Sequence, residues 1–531
     1  MEGNREGVGR TELVERSRDR RGLVVALILT VLAILLMLRA WGDWRHSHQI
    51  KQADADYASF MAAVHQAEDI ADPVQRCLHY PNLPGAHWHD DTTRAYCRLR
   101  NLHSLSRDDI AALLAQGKAG DVDKAFQGYL DAQLHDPSQP GVFDAAFYAA
   151  GFDQYDANMR KLVDQWKQQA PNSAFALIAS GMQYLDAAQQ ERGFGWSDDL
   201  TDSQRDGMQD QVAQARNELS RAVSLLPTAT PAYRSMIYAS ALTGDYRNAY
   251  EAAKAGLKVD PANYGIRSQM MNQAQPKWGH MFGGEREQKQ EAEALVARNP
   301  LLRMVTSLPA VYSATCNCGG TTFQYVQKVP DAADDNVSYL SINELTKVTY
   351  DEDPRLTIEL YSESLRFHPT DPDVLRWRAQ LMMKLGDPKG ALESIQQIAQ
   401  HFPGNNDVAL ALANIYNQTG HVKESEDTYE AILQRDPDHQ KAMAWLGDLY
   451  NHAGHQPEKA KALADRLISS HPDNPEGYIV RSCYLMDHDL PGRYETIHYF
   501  IDHFGDRDEF KSQVAEMRAY LAKHPEKMGQ G

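Results

Sequence analysis

Apolar positions follow two patterns along this chain, and each predicts a different kind of helix. From Leu23 to Leu38 no residue is charged and only Thr30 is polar. With Gly22 before it and Ala40 and Trp41 after, broken only by Arg39, the run approaches the ~20 residues a helix needs to cross a bilayer. From residue 351 onward, amphipathic runs are separated by Pro369, Pro403, Pro437 and Pro472, at spacings of 34, 34 and 35 residues. Proline has no amide hydrogen with which to continue a helix, so each one closes a hairpin of helices and lets the next begin. Small residues keep the same step. Gly386, Gly420 and Gly454 mark the turn inside each hairpin, and Ala379, Ala413 and Gly447 stand where two helices approach too closely for bulk. Met382, Tyr416 and Tyr450 follow in register, as do Ile395 and Tyr429, and one extra residue near Pro457 accounts for the longer step. The pattern predicts an all-α chain of stacked hairpins.

Asn414 to Gly420 and Trp445 to Gly454 resemble the tetratricopeptide repeat (TPR) residue by residue. The resemblance implies a TPR-like helix-hairpin solenoid, an α-α superhelix, over residues 351–525. Upstream, Pro137 and Pro171 are 34 apart, as are Pro227 and Pro261, and Ala239 to Pro261 resembles one degenerate TPR. The gap from Pro171 to Pro227 is too long for one unit, which predicts an insertion around Glu191 to Trp196 and an interrupted solenoid. Arg192 to Trp196, the helical run Ala215 to Leu226, and Gln275 to Gly279 are similar to the bacterial family called domain of unknown function 4034, over about residues 135–300. His280 stands where that family usually carries a second glycine. The resemblance implies TPR-like helices and frequent membrane anchoring, and brings no activity with it.

The apolar run reads as an uncleaved anchor over residues 22–44, because no small-x-small cleavage site follows it, as a signal peptide would require. Trp41 and Trp44 suit the interfacial belt. Six arginines (Arg5, Arg10, Arg16, Arg18, Arg20 and Arg21) precede the run, against Arg39, Arg45 and Lys51 after it. Positive charge stays inside, so residues 1–21 are expected in the cytoplasm and the body on the outer, periplasmic side of the cytoplasmic (inner) membrane. The inverted topology, with the body in the cytoplasm and reduced cysteines, is the alternative.

Residues 45–134 read as an amino-terminal region of short helices around a Pro- and Gly-rich loop. Cys77 and Cys97, twenty residues apart, suit a local disulfide. Residues 135–300 form the central TPR-like region. Prolines, Cys316 and Cys318 in a Gly-containing loop, and the alternation of Thr321 to Val326 predict an irregular connector over 301–350 with a short hairpin of strands. The pair at 316 and 318 is at most half of a zinc site. Cys483 reads as a buried thiol in a repeat helix, and 526–531 as a tail.

Net charge of −18 excludes a nucleic-acid partner, which would need clustered Lys and Arg. No nucleophile elbow, zinc helix or phosphate loop is present, so neither an enzyme nor a cofactor is expected. One cluster, His79 with His87, Trp88, His89, Asp90 and Asp91, could ligate a transition metal, and otherwise is a polar loop with Trp88 tucked beneath it. Trp278 either fills a junction between hairpins or forms a binding platform. The TPR resemblance places Arg376, Gln380, Asn414, Asn417, Lys441, Asp448 and Asn451 in a concave groove suited to a peptide backbone or terminal carboxylate. Trp445 and Leu410 depart from a carboxylate clamp. The expected function is a membrane-tethered interaction protein, a scaffold or adaptor for an envelope peptide or protein partner. A metal-dependent enzyme or binder and a self-associating scaffold are the alternatives.

Overall fold

The computed structural model describes residues 55–193, 199–316, 318–334, 337–453 and 455–526. The anchor run, Trp196, Gly454 and the tail from residue 527 lie outside them. Among the described residues no helix is long and apolar enough to cross a membrane, and no strand occurs. The chain divides into two compact units, Met1–Ala63 and Val64–Gly531. Residues 55–63 of the first are helical. All contacts given below lie within the second.

Four helices lead the chain: α1 (55–68), α2 (Pro73–His79), α3 (Asp90–Arg100) and α4 (Arg107–Ala115). Ser106 and Asp109 start α4 with a reciprocal capping box, satisfying two amides that the first turn leaves open. The central hairpins follow as α5 (Ala119–His135), α6 (Val142–Ala149), α7 (Ala157–Gln169), α8 (Ala174–Arg192), α9 (Asp202–Leu225), α10 (Thr230–Thr243), α11 (Tyr246–Val259), α12 (Tyr264–Ala274) and α13 (Glu285–Glu293). Pro171 and Pro227 bound one elongated hairpin. The extra residues lengthen α8 and α9, which pack along each other, and both also pack on α10. The insertion expected around Glu191 to Trp196 falls at the end of α8 and between it and α9, partly outside the described residues.

Most of the described residues of 301–350 are helical rather than irregular. They form α14 (Leu302–Thr315), α15 (Thr322–Val326), α16 (Val329–Ala333) and α17 (Tyr339–Thr349). The expected strand at 321–326 is a helical turn because Thr321 and Gln324 cap each other, Thr321 N–H donating to Gln324 Oε1 at 3.0 Å and Gln324 N–H to Thr321 Oγ1 at 3.3 Å. That exchange satisfies the amides a strand would need a partner to satisfy. Helix α14 packs on α12 before it and α17 after it, so the segment joins the stack.

The carboxy-terminal hairpins are α17 with α18 (Pro354–Phe367), α19 (Pro372–Lys384) with α20 (Pro388–His401), α21 (Asn406–Gln418) with α22 (Val422–Arg435), α23 (Gln440–Asn451) with α24 (Pro457–Ser470), and α25 (Pro475–Asp487) with α26 (Arg493–Phe504). Helix α27 (Lys511–Lys523) packs on α26. A second ladder runs beside the prolines. Asp371, Asn405, His439 and Asn474 each stand two residues after one and cap the following helix through their side chains. Ala413 is fully buried, with its carbonyl accepting from Ser425 Oγ at 2.7 Å. Gly447 faces Val480 so closely that a Cβ there would lie 2.8 Å from Val480 Cγ1.

Glu68, α2 and α3 pack against this stack from within the second unit. Arg378 of α19 is buried and donates to Glu68 Oε1 at 2.7 Å and to Ser394 Oγ at 2.6 Å. Arg366 donates to the Cys77 carbonyl at 2.8 Å, and Tyr96 Oη accepts from the Tyr339 amide at 2.8 Å. Trp88 packs on Phe367 and Tyr96 with ring centroids 5.0 and 6.2 Å away. Arg303 reaches Asp91 and Thr92 at 3.3 and 3.2 Å.

Candidate functional site

The first helices of successive hairpins, α19, α21, α23 and α25, lie side by side. Arg376 and Gln380 come from α19, Asn414 and Asn417 from α21, and Lys441, Asp448 and Asn451 from α23. The structure brings Arg376 and Lys441 together through one carboxylate. Asp373 lies 3.3 Å from Arg376 Nη2 and 3.7 Å from Lys441 Nζ. Arg376 also donates to Gln380 Oε1 at 3.4 Å, and its guanidinium lies over the Trp377 and Trp445 rings, 5.4 and 5.8 Å from their centroids. Asn414 accepts from Gln418 at 2.8 Å, and Asn451 donates to the Val480 carbonyl at 3.0 Å while its own carbonyl oxygen is buried without a partner. Among the described residues, no side-chain contact of Asn417 ties it to the others.

The groove's charge differs from the sequence expectation. Both cations expected there already face Asp373, three residues before Arg376 on α19, which Lys441 reaches from α23. Asp407, Asp448 and Glu476 add further acid, and the walls around them hold their carboxyls above the usual range by thinning the water that would solvate the charge.

A cavity of about 940 Å³ opens between α10, α12, α14, α17 and α19, and meets the groove at Asp373 and Trp377. Sequence reasoning missed it, since its walls come from segments far apart in the chain. Arg234, Lys277, Tyr312 and Leu340 line it. Leu340 is 69% exposed and Trp377 36%. Trp278, in the turn beside Lys277, is half-buried.

The histidine loop serves the packing of α2 and α3 on the stack. Trp88 is buried, the His87 amide donates to Asp334 at 2.6 Å, His79 Nδ1 contacts the Gln75 carbonyl at 2.7 Å, and Asp90 and Asp91 occupy the first turn of α3. The His87 and His89 rings stand 5.0 Å apart. Among the described residues, no group of three or more His, Cys, Asp or Glu is placed to hold a metal ion. Cys77 and Cys97 are disulfide-bonded, with Cα atoms 5.7 Å apart, and Cys316 is bonded to Cys318. Cys483 is half-buried rather than fully buried, and burial pushes its thiol up to about 11, so it is not an activated thiolate.

Two tetratricopeptide-repeat family models match the carboxy-terminal hairpins, over residues 383–432 and 410–475. These residues are TPR repeats. A thermophilic TPR protein of Thermus thermophilus is 17% identical, with a TM-score of 0.28, over 34% of this chain and 100% of its own. A tetratricopeptide repeat protein of Parabacteroides merdae is 13% identical, with a TM-score of 0.33, over 54% of this chain and 98% of its own. MamA is 19% identical, with a TM-score of 0.23, over 36% of this chain and 96% of its own. No curated protein matches the chain. TPR arrays generally mediate protein–protein interaction as scaffolds or adaptors, and the TPR fold points to a non-catalytic role.

Proposed function

We propose that this chain is a membrane-anchored scaffold or adaptor whose concave face holds a peptide or protein partner in the cell envelope. The observation that supports the proposal is the meeting of polar and aromatic side chains of α19 and α23, where Arg376 and Lys441 share Asp373 and the Arg376 guanidinium lies over Trp377 and Trp445. A face of that composition favours an extended backbone with occasional large side chains. The Leu23–Leu38 run supports anchoring, and the arginine excess before it supports a periplasmic body. The Cys77–Cys97 bond is compatible with an oxidising compartment. The resemblance of residues 135–300 to domain of unknown function 4034 adds no activity to this reading.

Crosslinking in intact cells, followed by affinity purification of the full-length protein from gently solubilised membranes, tests the proposal. A specific partner is expected with the native chain and should be lost with the Arg376→Glu/Lys441→Glu double variant. Retention of the partner by a double variant with unchanged helical signal and melting would remove the groove from the account. Recovery of only further copies of this chain would replace the adaptor by a self-associating scaffold.

A further inference from the structure

The two disulfides of the described residues stand in opposite surroundings. Cys77 and Cys97 are fully buried, and their bond spans twenty residues. Cys316 ends α14 and is half-buried, Cys318 is exposed, and a single residue separates them in the sequence. A disulfide stabilises a fold chiefly by removing freedom from the unfolded chain, and so short a loop has little to remove. Other contacts already tie this loop. The Gly320 amide donates to the Tyr325 hydroxyl at 2.9 Å, Thr321 and Gln324 cap each other, and Lys328 Nζ donates to the Ser313 carbonyl and hydroxyl at 3.1 and 3.3 Å. A bond that adds little to the fold and meets solvent is one that opens and re-forms in contact with thiols.

The neighbours of the pair suit that chemistry. A thiolate attacks the sulfur it can reach, and the exposed one belongs to Cys318. Cys316 is then the leaving group, at the carboxy-terminal end of α14, where the helix dipole opposes negative charge. Lys328, bound to the carbonyl one turn before Cys316, sets a cation at that end and offsets the dipole. The Tyr312 hydroxyl lies 3.9 Å from Cys318 Sγ, within reach of a thiolate formed there. Tyr312 also lines the large cavity, so Cys318 adjoins the cavity wall.

We propose that Cys316 and Cys318 form a thiol–disulfide exchange site that oxidises incoming thiols. The first thiolate bonds to Cys318 Sγ as the bond between Cys316 and Cys318 breaks, and Cys316 leaves with the electron pair and takes up a proton. A second thiolate then attacks the sulfur carried by Cys318, which forms the product disulfide and releases Cys318 to take up the second proton. Two thiols lose two electrons and two protons, and the cysteine pair receives both. The site stands independently of the groove reading given above.

The test treats the full-length protein in mild detergent with reduced glutathione, or with a short peptide carrying one cysteine. Remaining thiols are blocked with N-ethylmaleimide, and each cysteine is read by mass spectrometry. Cys316 and Cys318 should open about a hundredfold faster than Cys77 and Cys97, with the first adduct on Cys318. In a Cys316→Ser variant, oxidised glutathione should leave a lasting adduct on Cys318, whereas the reduced wild type should resolve it and release glutathione. Faster opening by the peptide assigns the site to polypeptide thiols, and equal or slower opening assigns it to small ones. Opening of both disulfides at one rate, a first adduct on Cys316, or a wild-type adduct as lasting as that of Cys316→Ser would overturn the proposal. So would a Cys316→Ser/Cys318→Ser variant that loses as much stability as Cys77→Ser/Cys97→Ser, since the bond would then serve the fold.

Discussion

Glu68 and Arg378 sit wholly out of water, and the pair holds only because its hydrogen bonds are complete. Tyr80 Oη and Arg378 Nη1 both reach Glu68 Oε1, at 2.9 and 2.7 Å. Burial alone would raise the Glu68 carboxyl, but Arg378 and His65 outweigh it and lower it to about 2 from an ordinary 4.5. A carboxyl depressed on folding contributes stability above its unfolded pKa, and that contribution disappears as pH falls through the folded value. The wild type should therefore exceed Glu68→Gln by about 3 kcal/mol in urea denaturation at pH 7, shrinking between pH 4.5 and 2. A difference unchanged down to pH 2 would assign the loss to packing alone. Glu359 has the opposite sign. Desolvation and Asp353 push it up to about 7, so its ionisation opposes folding as pH rises. Glu359→Gln should stabilise the protein by about 1 kcal/mol at pH 8, after allowance for partial solvation, and leave it unchanged at pH 4. None of these values is legible in the sequence, because Glu68 and Arg378 are 310 positions apart.

At the scale of elements, the repeat was legible because proline, glycine and small-residue positions act locally and recur at 34-residue steps. Gly386 and Gly420 have φ of 89° and 82°, which side chains rarely adopt, so the turn writes itself into the sequence. The small position at 447 follows from packing. Gly447→Leu should destabilise the protein by about 1–3 kcal/mol, since Val480 already fills the space, and the effect should appear as a lower urea midpoint. Wild-type stability in that variant would mean that α23 and α25 can separate freely. The segment 321–326 was misread for a physical reason. Over six residues, alternation cannot separate a strand from a capped helical turn, and the Thr321–Gln324 exchange decides it. The long α8–α9 hairpin departs from the 34-residue step because added helical turns lengthen both of its helices.

The whole molecule depends on contacts that no local pattern carries. The loop closed by Cys77–Cys97 touches α18 through Arg366 and the start of α17 through Tyr96, so one disulfide braces the junction of the central and carboxy-terminal hairpins. Cys77→Ser/Cys97→Ser should lower stability by about 3 kcal/mol and speed amide hydrogen exchange in α17 and α18 ahead of α22 to α26. Uniform acceleration would show that the loop does not brace that junction. The groove was legible only as helix faces. That Asp373 already engages Arg376 and Lys441 combines a neighbour on the same helix with one two hairpins away, and the large cavity spans α10 to α19.

The central claim is that the concave face holds a partner, and a photo-crosslinking amino acid placed by residue tests it most directly. Full-length variants would carry it at Gln380 or Asn414 on the inner helices, or at Lys389, 84% exposed on the second helix of its hairpin. Irradiation of intact cells should give one and the same adduct from positions 380 and 414 and none from 389. Adducts of equal yield from all three positions, or from 389 alone, would contradict the account.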